Sequence, residues 1–295
     1  MSSLAVLRSA RGRAAWRVYA SDRLAVIGAL IVVVVVLLAV CAPWIATAPG
    51  DAGIATHPVD GLLGPSSHHP FGTDEVGRDL FSRVLFGART SLRIGLEVLA
   101  IAILIGLPLG ILAGYAGGFL DDLIMRVTDV FLAFPALLLA LALASVLTPS
   151  VGNVAIAIAV TWWPWYARLV RAQAATVAAS GYVMSARALG LSHPRILLRH
   201  VLPNAVAPVV VQASLDFGGV ILTAAALSYL GLGAQDPTPE WGLMVNQGQA
   251  LFATNWWVVT FPGLAIVLVA FGFNLLGDGL RTLIDPRQVI RAHDP

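Results

Sequence analysis

Long segments without a charged side chain constrain the fold of this sequence more than any other feature. Residues 24–46 contain no Asp, Glu, Arg or Lys. About 20 apolar residues in a helix span the roughly 30 Å hydrocarbon core of a bilayer. Charged residues make up only 12% of the chain, whereas soluble proteins carry about 25%. The sequence therefore predicts an all-α protein that crosses the membrane several times.

The apolar pattern predicts six transmembrane helices. Their approximate bounds are 24–46, 92–113, 123–147, 151–170, 205–232 and 257–280. The first is too long for a signal peptide and lacks a small-residue cleavage site after it, so we interpret it as a retained span. It follows a segment of residues 1–23 and precedes a loop of residues 47–87.

Arginines predict the orientation of these helices. Five of them precede the first span against the single acid Asp22: Arg8, Arg11, Arg13, Arg17 and Arg23. The positive-inside rule then places the N-terminal segment in the cytoplasm and the 47–87 loop outside. An even number of spans returns the C-terminal tail, residues 282–295, to the cytoplasm. This tail includes Arg287 and Arg291.

Two polar segments are too long to be simple turns. In the 47–87 loop, Thr73 precedes three acids and is predicted to cap a short helix. In the cytoplasmic segment 181–203, Gly190 is predicted to end one short helix. Pro194 should lie near the start of a second, which Pro203 should stop. Apolar residues on one side of each helix indicate that both lie at the membrane surface.

Ionisable and polar groups within the predicted spans are costly and therefore informative. A spacing of three or four residues places charged groups on the same face of a helix, so that they can pair. This applies to Asp122, Arg126 and Asp129 at the third span and to Arg93 and Glu97 in the second. Mutual neutralisation is the favoured role, and a proton relay is the alternative. Asp216 and Asn274 have no obvious partner on their own helices. They are candidates for a translocation path or gate, and equally for hydrogen bonds between helices.

Small residues and prolines within the spans indicate close packing and kinks. Gly106, Gly110 and Gly114 recur every four residues, a spacing that permits close helix contact. Prolines interrupt the last five spans, and kinked helices suit a path that opens and closes; these residues are Pro108, Pro135, Pro164, Pro208 and Pro262. Simple curvature of the bundle is the alternative interpretation.

Several classes of chemistry are excluded or disfavoured. Cys41 is the single cysteine, so the chain forms no internal disulfide and no cysteine metal cluster. The chain contains no lysine, and therefore no phosphate-binding loop of the Gly-x-x-x-x-Gly-Lys-Ser/Thr type. The arginines are scattered, which argues against nucleic-acid binding. His57, His68 and His69 lie in the first loop, where solvated side chains are favoured over a metal site.

The cytoplasmic segment resembles the coupling loop of ABC importer permeases. The matching residues are Ala186, Arg187, Ala188, Leu189, Gly190, Leu202 and Pro203. Met184 stands where the family pattern often has an acid. Four further stretches are similar to the C-type permease subunits of dipeptide and oligopeptide importers. They begin at Phe71 (FGTDEVGRD), Gly114 (GYAGGF), Leu230 (LGLGAQDPTPEWG) and Asn274 (NLLGDGLR).

This resemblance implies a type I ABC importer permease fold, with residues 88–281 forming the permease domain. It implies a heterodimer with a second permease, two ATPase subunits that bind ATP and Mg²⁺, and an extracytoplasmic solute-binding protein. This chain would hold no cofactor and would import short peptides across the inner membrane. Nickel chelates or another small solute are alternative cargoes. A separate alternative is a proton-coupled transporter that works without these partners and uses Asp129, Asp216 or Glu97.

Overall fold

The computed structural model describes residues 19–284, which are helical apart from the connecting segments and contain no extended strand. The α-helices of these residues are, in chain order, α1 Arg23–Ile45, α2 Leu80–Ala116, α3 Gly118–Leu132, α4 Ala136–Val146, α5 Val151–Ala178, α6 Gly181–Ala188, α7 His193–Ile196, α8 Leu202–Tyr229, α9 Trp241–Gly248 and α10 Trp257–Ile284. A π-helical turn at Leu197–Val201 joins α7 to α8.

Four described helices are long and apolar enough to cross a membrane. They are α1, α2, the continuous segment from α7 to α8, and α10. The bent pair of α3 and α4 makes a fifth if it counts as one span. Helix α5 has 28 residues but is less apolar, because three tryptophans and Pro164 lie near its middle and two arginines follow them. The predicted count of six spans requires α5 to cross as well.

The connecting segments gather at two opposite ends of the bundle. We call residues 47–79 and 233–256 the polar cap, and residues 181–203 the coupling segment. Helix α2 begins at the cap with Leu80 and reaches the coupling segment at Tyr115, where the Tyr115 hydroxyl lies 2.7 Å from His193 Nδ1. At 1.5 Å per residue, the two ends are about 55 Å apart.

Helices α2 and α5 form the most extensive contact between any two helices of the described residues. The glycines that recur every four residues along α2 face the backbone of α5. A Cβ atom added at Gly106 would lie 2.7 Å from the Trp163 carbonyl oxygen, and one at Gly110 would lie 2.5 Å from that of Ala167. Side chains at these positions would force the helices apart, so the close packing predicted from the spacing is confirmed.

Pro43 leaves a carbonyl of α1 without its usual partner, and Arg89 on α2 supplies one. Proline has no N–H to donate to the carbonyl four residues earlier, which belongs to Ala39. Arg89 Nε donates to that oxygen at 2.5 Å, and Arg89 Nη2 donates to the Val40 oxygen at 2.8 Å. The charged side chain of Arg89 thereby finds hydrogen-bond acceptors within the bundle.

Helices differ from the sequence predictions at three places. The predicted third span breaks between α3 and α4 with an angle of 84°, since Pro135 disfavours helical backbone at Phe134. No short helix follows Thr73, which instead pairs with Asp79 in an isolated bridge. Helix α2 begins at Leu80, before the predicted end of the loop at residue 87, because Asp79 caps it.

Candidate functional site

The coupling segment presents a short helix, α6, whose two faces differ sharply. Val183 is fully buried and Ala186 nearly so, and these two residues attach the helix to the bundle. Tyr182, Met184 and Leu189 are exposed, Leu189 to 81%. An exposed apolar ridge of this kind is typical of a surface that another protein covers.

Gly190 ends this ridge in a left-handed conformation, with φ of +78°. The Gly190 N–H donates to the Arg187 oxygen at 2.9 Å, and the Leu191 N–H donates to the Ala186 oxygen at 3.1 Å. This pair of bonds is the Schellman motif, which satisfies carbonyls at the end of a helix. A Cβ atom at Gly190 would meet nothing within 4 Å in this chain. Glycine is therefore required here by the backbone conformation and not by packing within the chain.

Arg187 anchors α6 to the end of α2. Its guanidinium carbon lies 4.6 Å from the centre of the Tyr115 ring, a cation–π contact. Tyr115 also contacts the ring of His193 edge to face. Three parts of the chain thus meet at one aromatic side chain, an arrangement that sequence spacing did not indicate.

Pro203 does not end a helix, contrary to the prediction. It lies in the first turn of α8 next to Leu202, where a proline needs no N–H partner. The preceding π-helical turn, with Val201 fully buried, continues the chain from α7 into α8. The part of the coupling segment from His193 onward is therefore helically continuous with a membrane helix.

Asp216 lies near the middle of α8 and accepts two hydrogen bonds. The Tyr166 hydroxyl donates to its Oδ2 at 2.8 Å, and Gln212 Nε2 on the same helix donates to its Oδ1 at 2.9 Å. Asn274 donates to the Ala270 oxygen on its own helix at 2.9 Å. The expectation that neither residue has a partner on its own helix was wrong, because residues four apart reach each other.

Intramembrane ion pairs form within one helix and also between helices. Arg93 Nε lies 2.6 Å from Glu97 Oε1. The prediction of neutralisation among Asp122, Arg126 and Asp129 was wrong for Asp129, which pairs with Arg168 of α5 at 2.5 Å. Within residues 19–284, no ion pair joins Arg126 to Asp122 or to Asp129.

A second interhelical pair, between Asp121 and Arg171 at 2.5 Å, was missed from the sequence. Spacing along one helix cannot indicate partners on another. The packing of the α2 glycines against α5 brings Arg171 close to the start of α3, and this proximity could only be seen once the fold was known.

Asp79 organises the first part of the polar cap. Its carboxylate caps α2 and accepts from Thr47 Oγ1, the Ser82 N–H and Ser82 Oγ, while His69 Nδ1 lies 2.9 Å away. Burial alone would raise the pKa of Asp79, but these hydrogen bonds outweigh it and hold the pKa below its ordinary value. The His69 ring is therefore part of the cap structure and is not simply solvated, as the sequence had suggested.

Arginines tie the two parts of the cap together. Arg78 bonds Asp74 at 2.7 Å and Asp236, from the second part, at 2.9 Å. Burial would raise the pKa of Asp236, yet the bond from Arg78 lowers it. Arg83 is fully buried and donates to the Asp51 oxygen at 3.0 Å. These contacts make the cap one rigid surface and give structural roles to Arg78 and Arg83, although the positive-inside rule disfavours arginine in a loop that is predicted to lie outside. No group of three metal-ligating side chains occurs within the described residues.

Comparisons with known proteins agree with this geometry. Residues 106–290 match the model of the family described as binding-protein-dependent transport system inner membrane component. Residues 11–65 match the N-terminal TM domain of oligopeptide transport permease C. The chain belongs to the family of binding-protein-dependent transport permeases.

Curated relatives of this permease cover nearly the whole chain. The dipeptide transport system permease protein DppC of Alkalihalophilus pseudofirmus is 44% identical over 94% of this chain and 90% of its own length. The probable D,D-dipeptide transport system permease protein DdpC of Escherichia coli is 48% identical over 90% and 88%. A glutathione transport system permease protein GsiD of E. coli is 46% identical over 92% and 89%.

Solved structures support the fold of the permease. An inward-facing structure of the MetNI methionine ABC transporter aligns with a TM-score of 0.57, at 17% identity, over 68% of this chain and 96% of that chain. An amino acid ABC transporter aligns with a TM-score of 0.52. The permease is a membrane subunit and not an enzyme, and ATP hydrolysis belongs to separate ATPase subunits.

Glu240 offers a test of the polar cap of the permease. Its carboxylate is almost fully buried and accepts the Leu243 N–H at 2.9 Å as the cap of α9. Burial raises the pKa of Glu240 despite its hydrogen bonds. A buried charge therefore opposes folding at neutral pH, while the capping bond favours it.

We expect Glu240→Gln to keep the cap without the charge and to melt at the same temperature as the wild type or higher at pH 7. Glu240→Ala loses the cap and should destabilise by about 1–2 kcal/mol. Burial raises the pKa of Glu240 in the folded protein. The wild-type carboxyl therefore lowers the free energy of unfolding as the pH rises above its pKa in the unfolded chain, about 4.3. The advantage of Gln should therefore disappear below that pH. Thermal melting of the purified protein measures this, and a Gln variant as unstable as Ala would contradict the interpretation.

Proposed function

We propose that this chain is the permease subunit of an ATP-driven importer that moves short peptides into the cytoplasm by alternating access. The observation that carries the proposal is the coupling segment. An exposed helix ended by Gly190 projects from a chain that is 44–48% identical to the two dipeptide permeases described above. The chain has no nucleotide-binding loop, so energy must reach it by contact at this surface.

In the proposed topology, six segments cross the inner membrane and both termini are cytoplasmic. Helix α5 and the bent α3–α4 pair complete the set with the four apolar helices. The direction of each helix supports this arrangement, because successive segments run alternately between the polar cap and the coupling end. The polar cap then lies outside, and the coupling segment lies in the cytoplasm.

The proposed assembly contains a second, homologous permease, two ATPase subunits and a solute-binding protein. The ATPases bind ATP and Mg²⁺ and engage the coupling segment, with Leu189 and Met184 in the contact. The binding protein docks on the polar cap, whose rigidity suits a fixed docking surface. ATP must favour the closed arrangement of the ATPases over the open one, because a ligand shifts an equilibrium only by its differential affinity.

Short peptides are favoured over the other cargoes. The relatives described above are named for the transport of dipeptides or of glutathione, which is itself a short peptide. These names favour short peptides over nickel chelates as the cargo. A proton-coupled transporter would need an unpaired carboxylate relay. Asp129 and Glu97 are instead held by arginines, so Asp216 is the single one of the three candidates without a cationic partner among the described residues, and one carboxylate does not form a relay. Asp216 and Asn274 belong to the proposed translocation path.

Cysteine cross-linking tests where the ATPase docks. In a Cys41→Ala background, Leu189→Cys should cross-link to the ATPase subunit of the purified complex, because this position is the most exposed on the coupling ridge. Val183→Cys, on the same helix but fully buried, is the matched control and should not react. Equal reaction at both positions, or reaction of neither in an intact complex, would refute the assignment.

A further inference from the structure

A cavity lined by both polar and aromatic side chains opens between α5 and α8 at the level of Asp216. Its volume is about 510 Å³, and six residues line it: Trp162, Trp165, Arg168, Leu169, Gln212 and Asp216. This volume lies within the usual range of small-ligand pockets, about 300–1,000 Å³. The proposed path thus contains a chamber large enough for a short peptide.

The position of the cavity excludes a lipid-facing role. Asp216 lies near the middle of the 28-residue α8, where a carboxylate exposed to hydrocarbon would be very costly. Trp165 and the Arg168 side chain are about half exposed in the single chain. A half-open polar surface at this depth must face a water-filled path or another protein.

The charges around the cavity are unequal. Arg168 is already neutralised by Asp129 at 2.5 Å. Asp216 accepts hydrogen bonds only from two neutral groups, the Tyr166 hydroxyl and the Gln212 amide, and no cation within residues 19–284 lies at ion-pair distance. The cavity therefore offers one carboxyl group that has no cationic partner among residues 19–284 and is held in a fixed orientation by two donors.

We propose that Asp216 binds the protonated α-amino group of a peptide in transit, while the indoles of Trp162 and Trp165 contact its side chains. An ammonium group is the cation that every unblocked short peptide carries. Aromatic faces accept varied side chains and also attract cations, so the cavity would select the peptide terminus without selecting its sequence. This inference rests on the proposed function.

The test uses the whole complex, reconstituted in liposomes with the ATPases inside and the binding protein outside. The probe is a radiolabelled alanyl dipeptide whose second residue carries a photoreactive diazirine. We compare wild type with Asp216→Asn, which removes the charge at nearly constant shape, and with Asp216→Glu, which keeps it. Glu97→Gln is the control, since it also removes a carboxylate from a membrane helix but lies outside this cavity.

We expect Asp216→Asn to lower uptake about tenfold or more, the effect of losing one charge-assisted bond. Photolabelling of α5 and α8 should fall in parallel, whereas ATP hydrolysis stimulated by the loaded binding protein should persist. Asp216→Glu should recover part of the uptake, and Glu97→Gln should behave as wild type.

Two outcomes overturn the inference. Unchanged uptake and labelling in Asp216→Asn would show that the carboxylate does not contact the peptide. Loss of the second permease from purified Asp216→Asn complex would show that the group pairs across the subunit interface instead. Failure of the wild-type complex to take up any peptide is a separate result, which would refute the proposed function and this inference with it.

Discussion

Replacing Gly110 by leucine is expected to abolish accumulation of the folded permease. A Cβ atom at this position would lie 2.5 Å from the Ala167 oxygen and 2.7 Å from Val170 Cβ, so even the first added atom clashes with the backbone of α5. Overpacking of a rigid core costs about 1–3 kcal/mol and sometimes more. Here the larger value applies, because two helix backbones must separate along the central contact of the bundle.

The matched control is Gly263→Leu in α10, where a Cβ atom would meet nothing within 4 Å. Both substitutions add the same side chain to a glycine within a membrane helix, and both improve helix propensity by about 1 kcal/mol. Membrane abundance and the monodisperse fraction after detergent extraction should collapse only for Gly110→Leu. Similar abundance of the two variants would show that the contact between α2 and α5 does not hold the bundle together.

Replacing Gly190 by valine should remove transport while the protein still inserts and folds. Left-handed backbone costs a residue with a side chain about 1–2 kcal/mol, and more for a β-branched one. The Schellman bonds that end α6 would therefore weaken, and the exposed ridge at Leu189 would lose its orientation. Uptake and substrate-stimulated ATP hydrolysis should fall together, by tenfold or more if the helix end is fully released.

Gly190→Asn separates backbone conformation from side-chain size, because asparagine tolerates left-handed geometry better than other residues. Since the site is open space within this chain, Asn should retain most of the transport if only the backbone matters. A loss equal to that of Val would indicate that the ATPase itself packs against the glycine. Normal transport by Gly190→Val at normal abundance would remove this residue from the functional site.

Local patterns in the sequence predicted those features that depend on near neighbours. The left-handed Gly190 follows from a glycine placed just after a short amphipathic helix. The close contact of α2 with α5 follows from glycines at every fourth residue. In each case the physical cause acts within a few residues or along one helix face.

Contacts between distant segments could not be predicted in the same way. Asp129 was assigned to its own helix, but the bundle offers it Arg168 instead. Local spacing also gave no indication that the Tyr115 ring lies beneath Arg187. Likewise, no local pattern in the 47–87 loop indicated that Arg83 is buried or that Arg78 bonds Asp236.

Pairing across helices is decided by the relative rotation and depth of the helices. A single sequence contains little information on either quantity, because many rotations bury equally apolar faces. The cavity at Asp216 is an example, since its walls come from residues that lie about 50 positions apart along the chain.

The central claim is tested most directly by peptide uptake into liposomes that contain the purified complex. The account predicts that a labelled dipeptide accumulates only when ATP, both ATPase subunits, the second permease, the binding protein and this chain are all present. A proton gradient alone should drive no uptake. Accumulation driven by that gradient in liposomes that contain this chain without ATPases would contradict the account.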